Sequence, residues 1–400
     1  MAVVISSTLK LSNCPATISV AYLRLNNYSS SSNPTTLNLS TLKKGTGGRS
    51  SFNGVVATVF GATGFIGKYI VNRLGKSGSQ IIIPYRGDNY EPFRMKLAGD
   101  LGQVYFHEYN LRDEDSIRKC IKYSNVVINL VGRDWETKRF SFNDVNVEGA
   151  RRLARLSKEA GVERFIHFSS MNASDNPNRS GILPNGSKFL ESKGLGEQAV
   201  LEEFPEATIF RPSDVYGQED RFVRYYAHAW RRQATFVPLW YKGERTQKQP
   251  VHVSDVATGV MNAIKDPDTA GQIYQAVGPK RYLLSELVDY FFRVMRKDGD
   301  WGYKRYDMRW DPIFQLKVTL TERLTWNWPL GHLHWEKIER EHLSDDVKDD
   351  IPTLEDLGVH LTTVEEQMPW EFKPWTYAIY KGQDPDEPLA PPEPPKVVVT

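Results

Sequence analysis

Residues 61–67 read Gly61-Ala62-Thr63-Gly64-Phe65-Ile66-Gly67, with a glycine at every third position. The run follows an apolar stretch over residues 55–60. After it, Phe65, Ile66, Tyr69, Ile70 and Leu74 recur at helical spacing. A strand, a glycine-rich turn and a helix in that order make a phosphate cradle. A pyrophosphate needs backbone N–H groups with no side chain in the way and the positive end of a helix dipole behind them. Gly61 lets the chain turn tightly, Gly64 permits close approach, and Gly67 lets the helix pack on the sheet.

A second apolar run, 81–83, leads into Pro84-Tyr85-Arg86. A site built for NAD usually places an acid here to accept from the ribose 2′-hydroxyl. Arg86 offers instead a cationic fork suited to a 2′-phosphate, so NADPH is the expected cofactor. Asp88 stands two residues on and could reach a ribose hydroxyl, which leaves NAD open. No metal site is expected: His332 and His334 flank Leu333 with no third ligand of suitable type and spacing.

These residues need a frame that brings them together. Strands are predicted at 55–60, 81–83, 104–107, 126–131, 164–169 and 208–211, with helices over 145–160 and about 187–203 between the later ones. Apolar runs alternating with helical patterns imply an α/β fold with a doubly wound parallel sheet. Such sheets bind ligands at the carboxyl ends of their strands. After residue 211 the alternation weakens, and seven of the ten tryptophans fall within 301–375.

The chemistry-bearing segments resemble, in order, the motifs of the extended and atypical short-chain dehydrogenase/reductases. The glycine spacing is theirs. Asn110-Leu111-Arg112-Asp113 is similar to their adenine-contacting segment. Asn129-Leu130-Val131-Gly132 resembles their fourth-strand motif, and Asn146-Val147-Glu148-Gly149 the start of the next helix. Phe168-Ser169-Ser170, Arg211-Pro212-Ser213-Asp214-Val215-Tyr216-Gly217 and His252-Val253-Ser254-Asp255-Val256-Ala257 complete the series. The resemblance covers roughly residues 55–280. It implies a Rossmann domain over 54–280, with Gly61, Ala62, Thr63, Gly64, Phe65, Ile66, Gly67, Arg86, Asn110, Leu111, Val131, Ser169, Lys193 and Pro212 around the cofactor.

One part of that pattern is missing. The superfamily uses a tyrosine four residues before its lysine to pass a proton to or from the substrate oxygen. Here Phe189 stands four before Lys193, and Pro184 four before Lys188. A phenyl ring has no ionisable proton. Unless Tyr216 or an acid has taken over, the pocket lacks its catalyst, and no catalytic residue is expected.

Composition narrows the remaining choices. The 400 residues are 25% charged and 40% hydrophobic, as in a soluble globule. Two cysteines, Cys14 and Cys120, exclude a disulfide framework. Residues 1–50 hold five basic side chains and no acid, and are rich in Ser and Thr; the first carboxylate is Asp88. That composition predicts an organelle transit peptide over 1–50. Taking those five charges from the net +2 leaves −3 for the rest, which argues against a nucleic-acid partner. Residues 383–400 form a Pro-rich acidic tail. Residues 281–382 are expected to dock on protein or on a membrane surface, because Trp326, Trp328 and Trp335 sit beside apolar residues.

Taken together, the leader, the Phe189 substitution and the Trp-rich extension resemble the short-chain-dehydrogenase-like accessory subunits of mitochondrial respiratory complex I. Residues 60–67, the run Asn129-Leu130-Val131-Gly132-Arg133-Asp134-Trp135 and Ser187-Lys188-Phe189-Leu190 carry that likeness. The resemblance implies a tightly held structural NADPH and no turnover. It implies partners among the other complex I subunits, a place on the matrix side of the inner membrane near the quinone site, and a role in assembly and stability of the peripheral arm. Two alternatives stay open: an active organellar NADP-dependent reductase or epimerase, and a plastid RNA-binding member of the atypical group.

Overall fold

The computed structural model describes residues 43–299, 302–324, 330–377 and 391–398. The chain divides into two units, 1–38 and 39–400, and every described residue belongs to the second. Most of the expected transit peptide, together with Trp326 and Trp328, lies outside the described residues.

The alternating runs build one seven-stranded parallel sheet. Its strands are β1 (Val56–Phe60), β2 (Gln80–Tyr85), β3 (Val104–Glu108), β4 (Val126–Asn129), β5 (Arg164–Phe168), β6 (Thr208–Pro212) and β7 (Ile273–Ala276). The order across the sheet is β7-β6-β5-β4-β1-β2-β3, every neighbouring pair parallel. The chain runs outward from β1 through β2 to β3, then returns to lay β4 on β1's other side. That reversal opens a crevice at the strands' carboxyl ends.

The helices are α1 (Phe65–Lys76), α2 (Glu114–Ile121), α3 (Gly149–Glu159), α4 (Lys188–Glu203) and α5 (Val253–Lys265). A π-helical turn, Asn143–Glu148, leads into α3. All five residues of β1 are buried, and its side chains serve both layers. Ala57 and Val59 join Ile70, Val71 and Leu74 of α1 and Val256 and Val260 of α5. Phe60 joins Ile117 of α2, Leu153 of α3 and Val200 of α4 on the other face. Burying each such side chain contributes roughly 1.5–3 kcal/mol before the entropy of ordering is set against it.

The seventh strand has no counterpart among the expected ones. Ile273-Tyr274-Gln275-Ala276 is short and half polar, and only its pairing with β6 gives it shape. The packing also crosses residue 280. Tyr216, Phe222 and Val237 share one cluster with α6 (Leu284–Val294) and with Val364, Met368 and Phe372. Leu354, Leu357, Val359 and Leu361 lie in the sheet's own core beside α1 and α5. Two further helices, α7 (Pro312–Leu324) and α8 (Trp335–Glu341), complete the part that bears on the site. No helix among the described residues is long and apolar enough to cross a membrane.

Candidate nucleotide site and its covered substrate side

The cradle forms as its residue types require. Gly61 has φ +79°, and a Cβ there would stand 2.9 Å from the carbonyl carbon and oxygen of Leu130. At Gly67 a Cβ would come within 2.6 Å of the Ala62 oxygen, so the helix could not seat against the turn. Gly64 caps α1 with its backbone alone, and the first turn holds no acid. The opening amides of α1 therefore have no intrahelical partner and face the crevice end of β1 with the helix dipole behind them.

A cavity of about 900 Å³ lies beside this turn, and Thr63, Arg86, Asp88, Arg133, Arg139 and Phe140 are among its walls. Arg86 is exposed at the end of β2. Arg133 is half-buried, with its guanidinium 5.1 Å from the Trp135 ring centroid. Burial and then the like charges of Arg86 and Arg221 push the Arg133 pKa down. Cations crowded this way favour an anionic ligand. Asp88 already accepts through Oδ1 from the Tyr90 N–H at 3.1 Å.

Beyond the turn the expected residues separate. Asn110 is exposed, with its side-chain oxygen accepting from the Arg112 N–H at 3.1 Å. Leu111 is 2% exposed and packs in the core under α3, and its carbonyl accepts from Arg152 at 2.8 Å. Its side chain therefore belongs to the packing rather than to the crevice. Val131 is half-buried and donates to the Asn129 side chain at 3.0 Å. Pro212 ends β6, and its carbonyl accepts from the Met171 N–H at 2.8 Å.

The other end of the crevice is a polar recess. Lys193, buried on α4, donates to the Phe168 carbonyl at 2.9 Å. Burial pulls its pKa down to about 8, with Glu197 opposing and Arg340 assisting. The buried Ser169 Oγ and Asn146 Oδ1 have no partner within the protein. A Cβ on Gly132 would stand 3.2 Å from Lys193 Nζ and 3.7 Å from Asn146 Oδ1, so these groups converge on one spot. Buried polar atoms are rarely left unpaired, and ribose hydroxyls would satisfy both. The residues therefore fit a dinucleotide along the crevice.

Tyr216 does not replace the missing donor. Its ring is buried, its hydroxyl donates to the Thr362 carbonyl at 3.1 Å, and burial, then nearby carboxylates, push its pKa far above the usual range. Phe189 itself is 8% exposed. It meets Phe142 edge to face at 5.9 Å, and the Arg340 guanidinium lies 4.2 Å from its ring centroid.

That arginine comes from α8, which packs against the N-terminal turn of α4 and the ring of Phe189. Glu336 of α8 accepts from the Phe189 N–H at 2.9 Å and from the Ser187 hydroxyl, at the N-terminus of α4. Glu339 is fully buried. It accepts from the N–H groups of Ser180 (2.6 Å), Ile182 (3.2 Å) and Leu183 (2.9 Å) and from the Ser180 hydroxyl (2.7 Å). Glu341 pairs with the fully buried Arg231 at 2.9 Å, and Asp345 with Lys248 at 3.5 Å. Leu343 joins Phe142, Phe189 and Leu190 in a small apolar cluster. Four acids within ten residues thus fasten this segment to the nucleotide-binding layer.

Trp335 donates through its indole N–H to Thr319 at 3.2 Å and packs on the cluster of Met308, Phe314, Val318, Leu333 and Ile338. It is therefore packed against α7 and half-buried. His334 donates through Nε2 to the Asp134 carbonyl at 2.8 Å, and burial pulls its pKa down to about 4. Arg133, Glu336, Glu339 and Arg340 were not anticipated from sequence. Asn146 was within reach, since it opens one of the recognised motifs.

Two comparisons bear on what this geometry belongs to. Residues 57–276 match the NAD dependent epimerase/dehydratase family. The mouse (Mus musculus) protein "NADH dehydrogenase [ubiquinone] 1 alpha subcomplex subunit 9, mitochondrial" is 48% identical over 331 residues, 80% of each chain. The chain belongs to the alpha subcomplex subunit 9 family. A second relative of this subunit 9 chain is the "NADH-ubiquinone oxidoreductase 40 kDa subunit, mitochondrial" of Neurospora crassa, 37% identical over 78% of this chain and 77% of that one. Among solved structures, the Bordetella bronchiseptica enzyme WbmH in complex with NAD+ superposes with a TM-score of 0.53 at 14% identity, over 81% of this chain and all of that one. At that identity the likeness concerns the fold alone.

Proposed function

We propose that this chain is a non-catalytic accessory subunit of mitochondrial complex I that carries a dinucleotide as a structural element. Membership of the subunit 9 family supports the assembly. The observation that carries the rest is Phe189 at the proton-donor position with Arg340 of α8 laid over its ring. A nicotinamide cofactor supplies hydride when bound. Here the position four before Lys193 is a phenylalanine with no proton to give, and α8 lays Arg340 over its ring. Lys193, Ser169 and Asn146 hold ribose hydroxyls, and the amides of α1 hold the pyrophosphate.

NADPH is the favoured dinucleotide. Arg86 and Arg133 line the cavity at the β2 end, while Asp88 is engaged in its own turn. The ligand stabilises the native state by mass action. Docking falls to α7, where Ile313, Leu316, Leu320 and Leu324 are exposed, as is the neighbouring Trp310. An apolar stripe of this kind suits a protein or lipid surface on the matrix side of the inner membrane.

Blue-native electrophoresis of organelle membranes tests the assembly. Co-migration with NADH dehydrogenase activity is expected, and a free protein with carbonyl-dependent NADPH oxidation would overturn the reading.

A further inference from the structure

One helix, α8, touches both Phe189 at the recess and the inner face of α7, whose outer face carries the exposed stripe. Arg340 of α8 lies over one ring of α4, Phe189, and Lys193 Nζ stands 5.9 Å from the same ring. Two cations thus flank one phenyl group at the mouth of a recess whose remaining polar atoms, Ser169 Oγ and Asn146 Oδ1, are unpaired. The nearest carboxylate recorded for Arg340 is Asp134, whose Oδ2 is 3.8 Å away and whose Oδ1 faces Arg221 at 3.1 Å. Like charges held this close repel, and the Arg340 charge adds to the burial that pulls the Lys193 pKa down. An electron-rich group placed between them relieves both.

The same helix holds α7. Its first residue, Trp335, donates to Thr319 of α7 and packs on Phe314 and Val318. On the opposite side of α7 lies the exposed stripe. Between these helices and the loop at 183–186 remains a cavity of about 370 Å³, walled by Phe142, Leu183, Glu322, Trp335 and Glu336 among others. This cavity is partly open to solvent, so the facing sides of α7 and α8 are not packed tight here and have room to close toward each other.

We infer that Arg340 is a nucleotide-sensing residue: it closes on the nicotinamide end of the bound dinucleotide and thereby sets α8 and, through Trp335, the docking face of α7. This rests on the dinucleotide-binding reading above and gives the retained cofactor a task that needs no turnover. Nucleotide and partner then bind with positive cooperativity, because each favours the same arrangement of α7 and α8. Arg340 is a positioning residue here, since its effect reaches the partner surface through the helix that carries it.

Hydrogen exchange on the purified full chain, stripped of nucleotide and then resupplied with NADPH or NAD, tests this. Nucleotide should slow exchange over residues 312–324 and 335–343 by about tenfold, the size of an ordinary allosteric coupling. Arg340→Gln should abolish that slowing while the α1 amides remain protected by bound nucleotide. Arg340→Lys should restore much of it. If nucleotide binds and protects α1 but leaves α7 and α8 unchanged in the wild-type chain, or if Arg340→Gln behaves as wild type, the coupling is wrong and the binding reading stands. If neither nucleotide binds, the binding reading falls and the coupling with it.

Discussion

The carboxylate of Glu336 accepts from the backbone N–H of Phe189 at 2.9 Å, joining residues 147 positions apart. It also takes the hydroxyl of Ser187, whose own side chain accepts from the Leu190 N–H at 3.2 Å. A negative group at the start of α4 is where the helix dipole favours one. The C-terminal segment therefore completes the N-terminus of the helix that carries Phe189 and Lys193. Restoring a catalyst is then more than a matter of adding a hydroxyl.

Phe189→Tyr alone should give no carbonyl-dependent NADPH oxidation above background, because Arg340 still covers the ring. A panel of aldehydes and ketones, followed by absorbance of the reduced nucleotide, checks this. Steady turnover by the single variant would show that the substrate side is open.

Glu339→Ala should destabilise the chain by about 2 kcal/mol, since it leaves three half-buried N–H groups without the carboxylate that they share. Glu339→Gln should recover part of that loss. Urea denaturation of both variants beside the wild type gives the numbers, and a loss under about 0.5 kcal/mol for Glu339→Ala would mean that water replaces the carboxylate.

The chain should yield NADP(H) on denaturation and mass spectrometry. Arg86 is exposed, so its contact with a phosphate is screened by solvent. Arg86→Asp should accordingly weaken NADPH by roughly tenfold, about 1.4 kcal/mol, and leave NADH little changed. Recovery of NAD alone from the wild type is the result that removes NADPH from the account.

Stability should fall as pH is lowered below neutrality. Burial holds His167 down to about 3 and His332 and His334 down to about 4, with neighbouring cations adding to each. In the unfolded chain the three take up protons near pH 6.5. Between that value and about 4 the unfolded state binds more protons, so falling pH favours unfolding. Asp220 works the other way: burial raises it to about 6, so it gains its proton in the folded state first. Burial also lowers His252 and His342 and raises Glu322, Asp345 and Glu371, so five histidines stand against four carboxylates, and the net loss between about pH 7 and about pH 5 is roughly 1.4 kcal/mol per pH unit for each unbalanced site. Urea midpoints at the two pH values should show it, and equal midpoints would mean that these histidines titrate normally.

Leader removal should stop short of residue 44. Lys44 and Phe52 exchange two backbone hydrogen bonds, and Gly78 is packed against the carbonyls of Gly48 and Ser51. The transit peptide read from composition as 1–50 would cut into that hairpin. N-terminal sequencing of the mature protein decides the point, and a start beyond Phe52 would show the hairpin to be dispensable.

The layout of the sheet was largely legible because each early strand is a continuous apolar run and each crossover helix has a spaced apolar face. Gly61 and Gly67 were legible for a steric reason that any sequence of this kind must obey. Ile273-Tyr274-Gln275-Ala276 was not, since it is shaped by pairing with β6 and not by its own pattern. The burial of the Leu111 side chain was not legible either, since its motif records position and not the direction of a side chain. Arg340 carried no local signal whatever. Its place over Phe189 depends on four carboxylates, Glu336, Glu339, Glu341 and Asp345, each finding a partner far away in sequence.

The stripe on α7 also bears on the life of the chain before assembly. Ile313, Leu316, Leu320 and Leu324 are between half and three-quarters exposed, with Trp310 beside them. A copy made in excess of its partners carries that stripe uncovered, and two such copies can hide it only against each other. Supply of the chain is then set by how fast it is covered, and surplus becomes a load for chaperones and proteases. If α7 is the docking face proposed above, the stripe that ties the subunit to its assembly is also its burden as an orphan.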